Sequence, residues 1–565
     1  MAEYLSPGVY VEEYDNSPRG VEGVGTCTGG FVGMAERGPV EGEPRYVTSF
    51  ASFLRQFGGY LSEFAYGEYR YLAGSVEQFF ANGGTKCFVS RVIAPGAKSA
   101  AVSAGILKAE AKNEGTWGNR IQIKIASSFK KKLQLIKKQE DGSFLAKNIR
   151  GFTEGDFVVY EGEYNRIQTI FEDKITFEKD FAADPCDDSF VPKKVLYLLE
   201  IDVSVCCNEE REKYGELSFN LSSPNYILGK MEKSSLIHVS LTGETEFLNP
   251  FEGIFGTGKT EGVLTLAGGS DGNIDGVTAG TFIGTDRGPG RRTGIQAFLE
   301  NDQVNMLCVP GITIPEVIAA LVSHCENLGS RFAILDMPKE EAGTKELIEY
   351  REMIDSTYGA MYHPWVQIFD RSLQKPEYFP PSGAVMGIYA RSDLQRGVHK
   401  APANETVMCT GLNILFSRAE QDILNPAGIN LIRRIPGQGI RVWGARTAGS
   451  NSSFKYVNVR RLFIYVEESI KANTGWVVFE PNTPALWTRV RISITGFLDT
   501  MYRSGMLSGS TPEESYFVEI GPSTMTNDDI SKGRFICNIG IAPSRPAEFV
   551  IFKVTQFTAE AGAES

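Results

Sequence analysis

Histidine is scarce in this chain. Only His238, His324, His363 and His399 occur in 565 residues. None stands at metal-ligand spacing from another, so a histidine-built metal centre is not expected. Cysteine pairing signals are missing too. The nine cysteines are an odd number, no CxxC occurs, and only Cys206 and Cys207 are adjacent. That pattern argues against a disulfide framework or a zinc site and suits reduced thiols in a cytosol. Long hydrophobic runs are lacking. The stretch VLYLLEIDVSV falls far short of a membrane span, and MAEYLSPGVYVEEYD has neither the basic nor the apolar region of a signal peptide. There is no basic excess either. Lys+Arg number 57 against 69 Asp+Glu, a net charge of −12, which argues against a nucleic-acid-binding surface over the whole protein.

What remains is an ordinary globular composition, 42% hydrophobic and 22% charged. The length exceeds one core and predicts three or four domains. Its 60 glycines point to many turns and strands. Both ends read as lone strands. Near the start, Pro7-Gly8 precedes Val9-Tyr10-Val11. Near the end, Glu548 to Phe557 reads EFVIFKVTQF. A lone strand is not stable in water and must pair with a sheet in its own subunit or another.

Between the ends the pattern alternates. CTGGFVGMA reads as a buried strand, with helices expected from about Ser49 to Phe57 and Tyr66 to Asn82. From about Ser128 to Phe247, lysine runs, DGS and DPCDD separate short alternating segments, which predicts a β-rich insertion. Beyond it, VNMLCVPG, RFAILDMP and WVQIFDR alternate with helices near Pro315 to Leu328 and Gly343 to Tyr358, a βαβ rhythm. The final third predicts helices over 385–396, Val459 to Asn473 and Pro484 to Gly505, and strands at WVVFE, Ser515 to Ile520 and RFICNIGIAP.

Several motifs suggest chemistry. Gly253 to Thr260, GIFGTGKT, satisfies GxxxxGK[ST], and Asp336 ends FAILD as a Walker B aspartate would. A phosphate cradle needs a strand feeding the loop and a helix leaving it. The polar segment before Gly253 and the strand-like EGVLTL after Lys259 supply neither, so Lys259 reads as linker and Asp336 as the end of a central strand. The stretch PSGAVMGIYARSDLQRGVHKAPANE at 381–405 concentrates Arg391, Asp393, Arg396, His399, Lys400 and Glu405 around small residues. It resembles an active site at first, yet no serine or cysteine nucleophile is grouped with a histidine and a carboxylate. Asp393 and Arg396 suit an i,i+3 ion pair. Arg433, Arg434 and Arg441 flank a bend at Pro436, Gly437 and Gly439, either a solvated basic turn or a docking edge for an acidic partner. Arg460 and Arg461 begin a helix, where cations are unfavourable without compensation, and are further interface candidates.

Taken together, YLSPGVYVEE, FVGMAERGPV, SFASFLRQFGG, GTWGNRIQI, LAGGSDG, PPSGAVMGIYARSDLQRGVHKAPANE, INLIRRIPGQGIRVWGART, YVNVRRLFIYVEESI and FEPNTPALWTRVRISITGFLDTMYRSG resemble contractile tail sheath proteins, most like those of tailed phages, over residues 1 to about 125 and 262 to 557. The resemblance implies a structural, non-enzymatic subunit that needs no cofactor. Such subunits stack as hexameric rings around an inner tail tube and contract to drive it through the target envelope, and the sheaths of contractile bacteriocins and injection systems are the alternative. It implies as partners the subunit itself, the tube protein, and baseplate and tail terminator or neck proteins, with no direct nucleic acid and no stable membrane insertion. The location would be the virion tail, after synthesis in the host bacterial cytoplasm.

The expected fold is α/β and α+β multidomain. It comprises an N-terminal arm at 1–20, an α/β middle domain from 21–92 and 262–380, a β-rich inserted surface domain at 93–261, a C-terminal sheath core at 381–545 and a C-terminal arm at 546–565. Strand exchange between subunits falls to Val9, Tyr10, Val11, Phe549, Ile551 and Val554. The tube contact falls to Arg433, Arg434 and Arg441, and the C-terminal core or interface to Arg391, Asp393 and Arg396. No catalytic or metal residue is expected.

Overall fold

The strands that read as unbroken apolar runs are buried on both faces and lie side by side, as parallel strands covered by helices must. The computed structural model describes residues 20–551 apart from 183–184, 187–194, 243–249, 257 and 341–342. Val9, Tyr10, Val11 and Val554 therefore lie outside the described residues. Thr28–Met34, Met306–Cys308, Phe332–Asp336, Gly359–His363 and Ile429–Ile435 form a parallel series, with Lys86–Val92 parallel on the outer flank of Thr28–Met34. Arg45–Val47 closes one edge antiparallel. Gly439–Val442 and Glu405–Thr406 close the other.

Alternation along these strands divides the core into two layers. Phe31, Met306, Phe332, Ile334 and Tyr362 face the helices Leu72–Ala81 and Ser382–Arg396. Val32, Leu307, Ala333, Leu335 and Met361 face the helix Pro315–Leu328 on the other side. Ser382 to Ala390 are buried all round, which explains the small residues of the 381–405 stretch. A Cβ on Gly383 or Gly387 would come closer than 3.0 Å to backbone atoms of Ser75 and Phe79 respectively. The two helix backbones approach that closely only because these positions are glycine. A mid-helix glycine costs about 0.5–1 kcal/mol, and the close packing offsets it.

The β-rich insertion forms two units. Lys132–Lys138, Phe144–Lys147, Phe157–Tyr160, Glu163–Phe171, Lys174–Phe177 and Val195–Leu198 close a barrel filled by Leu133, Leu135, Phe144, Ile167, Ile175 and Leu196. Around it stand two sheets. One contains Ile121–Ser128, Glu200–Cys207, Glu210–Leu217 and Glu261–Thr265, the other Ala101–Ala104, Leu107–Ala111 and Ile237–Leu241. At the neck, the blocks GTWGNR and LAGGSDG clasp each other. Asn119 and Gly269 exchange amide bonds of 2.9 and 2.8 Å, and Asp271 accepts from the Thr116 amide and hydroxyl at 2.8 Å each.

After residue 448 the helices Val457–Asn473 and Pro484–Arg503 and the two-stranded ribbon Tyr516–Ile520 with Cys537–Ile541 form a separate core around Leu462, Val466, Val490, Ile494, Leu498 and Ile520.

Four expectations change. The boundary at 380/381 cuts a continuous core. Ser382–Arg396 packs under the central sheet and Ile429–Ile435 extends it, so the middle body runs on to about residue 448. WVQIFDR leaves the parallel series and joins a small antiparallel sheet with Lys375–Phe379 and Gly411–Leu412. The helix expected from Tyr66 breaks at Gly67 and resumes at Leu72. WVVFE finds no ladder partner among the described residues and forms a short 3-10 turn, Gly475–Val477, that leaves Val478 and Phe479 exposed.

Gly387→Ala should push the two packed helices apart. It is expected to lower stability by about 1–3 kcal/mol, read as a lower urea midpoint with unchanged slope.

Candidate functional site

The 381–405 cluster is a junction at the two ends of one buried helix. At the N-terminal end, Asp336 accepts the Ser382 amide at 2.8 Å, the Ser382 hydroxyl at 2.6 Å and the Gly311 amide at 3.0 Å. Burial pushes its carboxyl up to about 6, against the lowering effect of those donors. The residue that resembled a Walker B aspartate therefore caps a helix. The P-loop pattern has the wrong order as well: the helix Pro250–Phe255 runs into its first residues and the strand Glu261–Thr265 follows it.

At the C-terminal end, Asp393 meets Arg461 from the Val457–Asn473 helix in a two-point pair, 2.9 Å to Oδ1 and 2.6 Å to Oδ2. The Thr26 hydroxyl donates to Oδ2 at 2.6 Å, and Arg461 also donates to the Thr26 carbonyl at 3.1 Å. The guanidinium lies 4.8 Å from the Tyr389 ring centre, and the Tyr389 and Tyr362 hydroxyls are bonded at 2.5 Å. The side chains of Arg461 and Asp393 are 4% and 2% exposed, so the junction is dry. Arg391 donates to the carbonyls of Asn82 and Thr406 and pairs with Glu405 at 3.5 Å. Asn458 donates to the His399 carbonyl at 2.7 Å.

Two sequence readings are corrected here. Asp393 does not pair with Arg396, which is exposed in the last helical turn before Gly397. A buried partner on another helix displaces the local one. Arg460 and Arg461 are not surface interface residues. Arg460 is inserted between the rings of Phe454 and Tyr358, 3.5 and 4.4 Å from their centres, and donates to the Thr357 hydroxyl at 3.1 Å. Aromatic faces and a carboxylate supply the compensation that a helix start lacks.

The junction holds charge without offering reactivity. Among the described residues no group of three or more His, Cys, Asp or Glu could hold a metal ion. Burial, with Arg331 beside it, pushes His324 down to about 3, and burial alone pushes His363 down to about 4. Both imidazoles stay neutral. Burial pushes the Cys409 thiol up to about 12. Among the described residues no cysteine forms a disulfide, and no described helix is long and apolar enough to cross a membrane.

Two surface features remain. The basic turn is a hairpin, Ile429–Ile435 with Gly439–Val442, in which Arg433 and Arg441 are directly opposite. Arg433 donates to the Phe416 carbonyl, Arg441 to the carbonyls of Gln438 and Asn404, and Arg434 is exposed. None of the three forms a carboxylate pair among the described residues. The second feature is the tail. Phe549, Val550 and Ile551 pair with no strand among the described residues and are 72, 69 and 79% exposed. Immediately before them, Glu548 accepts from Arg446 at two points, 2.8 Å each, from Asn425 at 2.7 Å and from the Tyr456 hydroxyl at 2.9 Å. Sequence reasoning passed over Glu548. Its one signal was a carboxylate opening an apolar strand, with partners about 100 residues away.

The family described as phage tail sheath protein central domain matches residues 288–448, and that described as phage tail sheath C-terminal domain matches residues 449–557. A prophage major tail sheath protein of Pseudomonas aeruginosa (strain UCBPP-PA14) is 25% identical over 308 residues, 52% of this chain and 77% of that protein. The tail sheath protein of Escherichia phage P2 is 28% identical over 225 residues, 37% of this chain and 55% of that protein. Among solved structures, the sheath complex of an extracellular contractile injection system in the contracted state matches 99% of this chain and 100% of its own, with a TM-score of 0.54 and 21% identity. That likeness is one of fold. The division between the two family matches falls at 448/449, where the central sheet body gives way to the second core.

Removing one partner of the dry pair strands the other. Arg461→Met is expected to cost about 3–5 kcal/mol, and Asp393→Leu with Arg461→Met to recover most of it. A double-mutant cycle by chemical denaturation checks this.

Proposed function

Because the chain belongs to the contractile tail sheath family, we propose that it is the structural subunit of a sheath that polymerises as stacked hexameric rings around an inner tube and contracts to drive the tube through a target envelope. Its work is mechanical. The extended lattice stores the free energy, and contraction rotates the subunits as rigid bodies while their tethers stay joined. The partners on this reading are further copies of the chain, the tube protein, and the baseplate and terminator proteins. The location is the virion tail, or the equivalent tail of a DNA-free injection particle. DNA in purified particles assigns the first.

One observation carries the reading. The ribbon Tyr516–Ile520 with Cys537–Ile541 has no third strand among the described residues, and Phe517 on it is 52% exposed. A two-stranded ribbon is marginal alone, and open edges invite added strands. The same chain carries an apolar, unpaired segment at Phe549–Ile551. Neighbouring subunits supplying such segments to such ribbons would satisfy both and join the lattice into a mesh. Val9, Tyr10, Val11 and Val554 belong to the same exchange.

The hairpin arginines favour a tube contact. Like charges directly opposite on paired strands repel, and among the described residues Arg433 and Arg441 form no carboxylate ion pair to offset this fully, although Glu420 acts on Arg433. An acidic surface on the tube would do so.

Expressed protein should form long hollow helical tubes by negative-stain microscopy, and monodisperse monomer at high concentration would count against a sheath. Deleting residues 1–14 should leave a folded monomer without tubes. Arg433→Glu with Arg434→Glu should abolish sheathing of purified tube; normal sheathed particles would remove the arginines from the tube contact.

A further inference from the structure

We propose that the two arms are rooted at opposite ends of a single helix, Val457–Asn473, and that Glu548 is the positioning residue that fixes the C-terminal root. The inference rests on the strand-exchange reading above.

The N-terminal root lies along the helix. Asn473 donates to the Glu22 carbonyl at 2.8 Å, the Val24 amide donates to Ser469 at 3.1 Å, and Arg461 donates to the Thr26 carbonyl at 3.1 Å. The anchored residues alternate, 22, 24 and 26, as an extended chain would present them. The segment enters from the helix C-terminus and runs toward its start.

The C-terminal root sits at the other end. Tyr456, which precedes the first helical residue, donates its hydroxyl to Glu548. Arg446 grips the same carboxylate at two points, Asn425 adds a third donor, and Lys455 lies 3.9 Å away. Hydrogen bonds to an ionised carboxylate are about twice as strong as neutral ones. Those donors hold the Glu548 carboxyl below its usual range despite partial burial. The grip is abrupt, since Glu548 is held and Phe549 is open to solvent.

A helix of 17 residues spans about 25 Å. Tension entering through the C-terminal arm would pass through Tyr456 to that helix and through Arg446 and Asn425 to the end of the central body. The Glu548 clamp would also set where the exchanged strand begins, and a strand slipped by one residue turns every side chain to the wrong face.

The test uses full-length protein in three forms: wild type, Glu548→Gln, and a deletion of 549–565. Glu548→Gln keeps the side-chain shape and removes the charge. It is expected to leave the melting temperature of dilute monomer unchanged while raising the concentration needed for tubes by about tenfold, the factor for one charge-assisted bond. Glu548→Asp should restore part of that loss. If Glu548→Gln assembles as wild type does while the deletion does not, the clamp is overturned and strand exchange stands. If Glu548→Gln lowers the monomer's melting temperature and assembly together, the residue is structural and the positioning role is overturned. If the deletion itself still forms normal tubes, strand exchange fails and the clamp with it.

Discussion

The dry pair between Asp393 and Arg461 is the constraint on which the rest of the molecule depends. Desolvating two such ions costs several kcal/mol each, and they persist only where their bonding capacity is met. Here Arg461 occupies both carboxylate oxygens and Thr26 supplies a further donor. The pair adds little net stability over an apolar substitute, but it tolerates one geometry. It therefore locates three pieces of chain relative to one another: the segment at Thr26, the helix under the central sheet, and the first helix of the C-terminal core.

The central sheet is covered on both faces and its interior strands offer no edge. Among the described residues the C-terminal ribbon does offer edges, and Phe549, Val550 and Ile551 beyond Glu548 are apolar and exposed.

Much of this was legible in the sequence, for identifiable reasons. The parallel strands announce themselves as apolar runs because both faces are buried, and Asp336 reads correctly as a strand end because its surroundings deny a phosphate site. The failures share a cause. The 380/381 boundary was misplaced because the helix Ser382–Arg396 packs on residues about 300 positions earlier, a contact no local pattern carries. Arg396 was chosen over Arg461 as the partner of Asp393 because spacing rules see three residues ahead and not sixty-eight. Arg460 looked exposed because its compensation comes from rings at Tyr358 and Phe454 rather than from a carboxylate. WVVFE alternates as a strand does, but alternation supplies no ladder partner.

The insertion shows how a surface module can be added without disturbing the joint. Its flanking strands Lys86–Val92 and Met306–Cys308 both pair with Thr28–Met34, so more than 200 residues of chain leave and return between two places on one sheet. The exit is closed by antiparallel bridges Lys98 to Ser270 and Ala101 to Ala267 and by the Asn119–Gly269 clasp. The barrel beyond has its own filled interior and takes nothing from the central core. Changes in the barrel are therefore decoupled from the Asp393–Arg461 joint, whereas changes in the short GTWGNR and LAGGSDG blocks act on the neck itself.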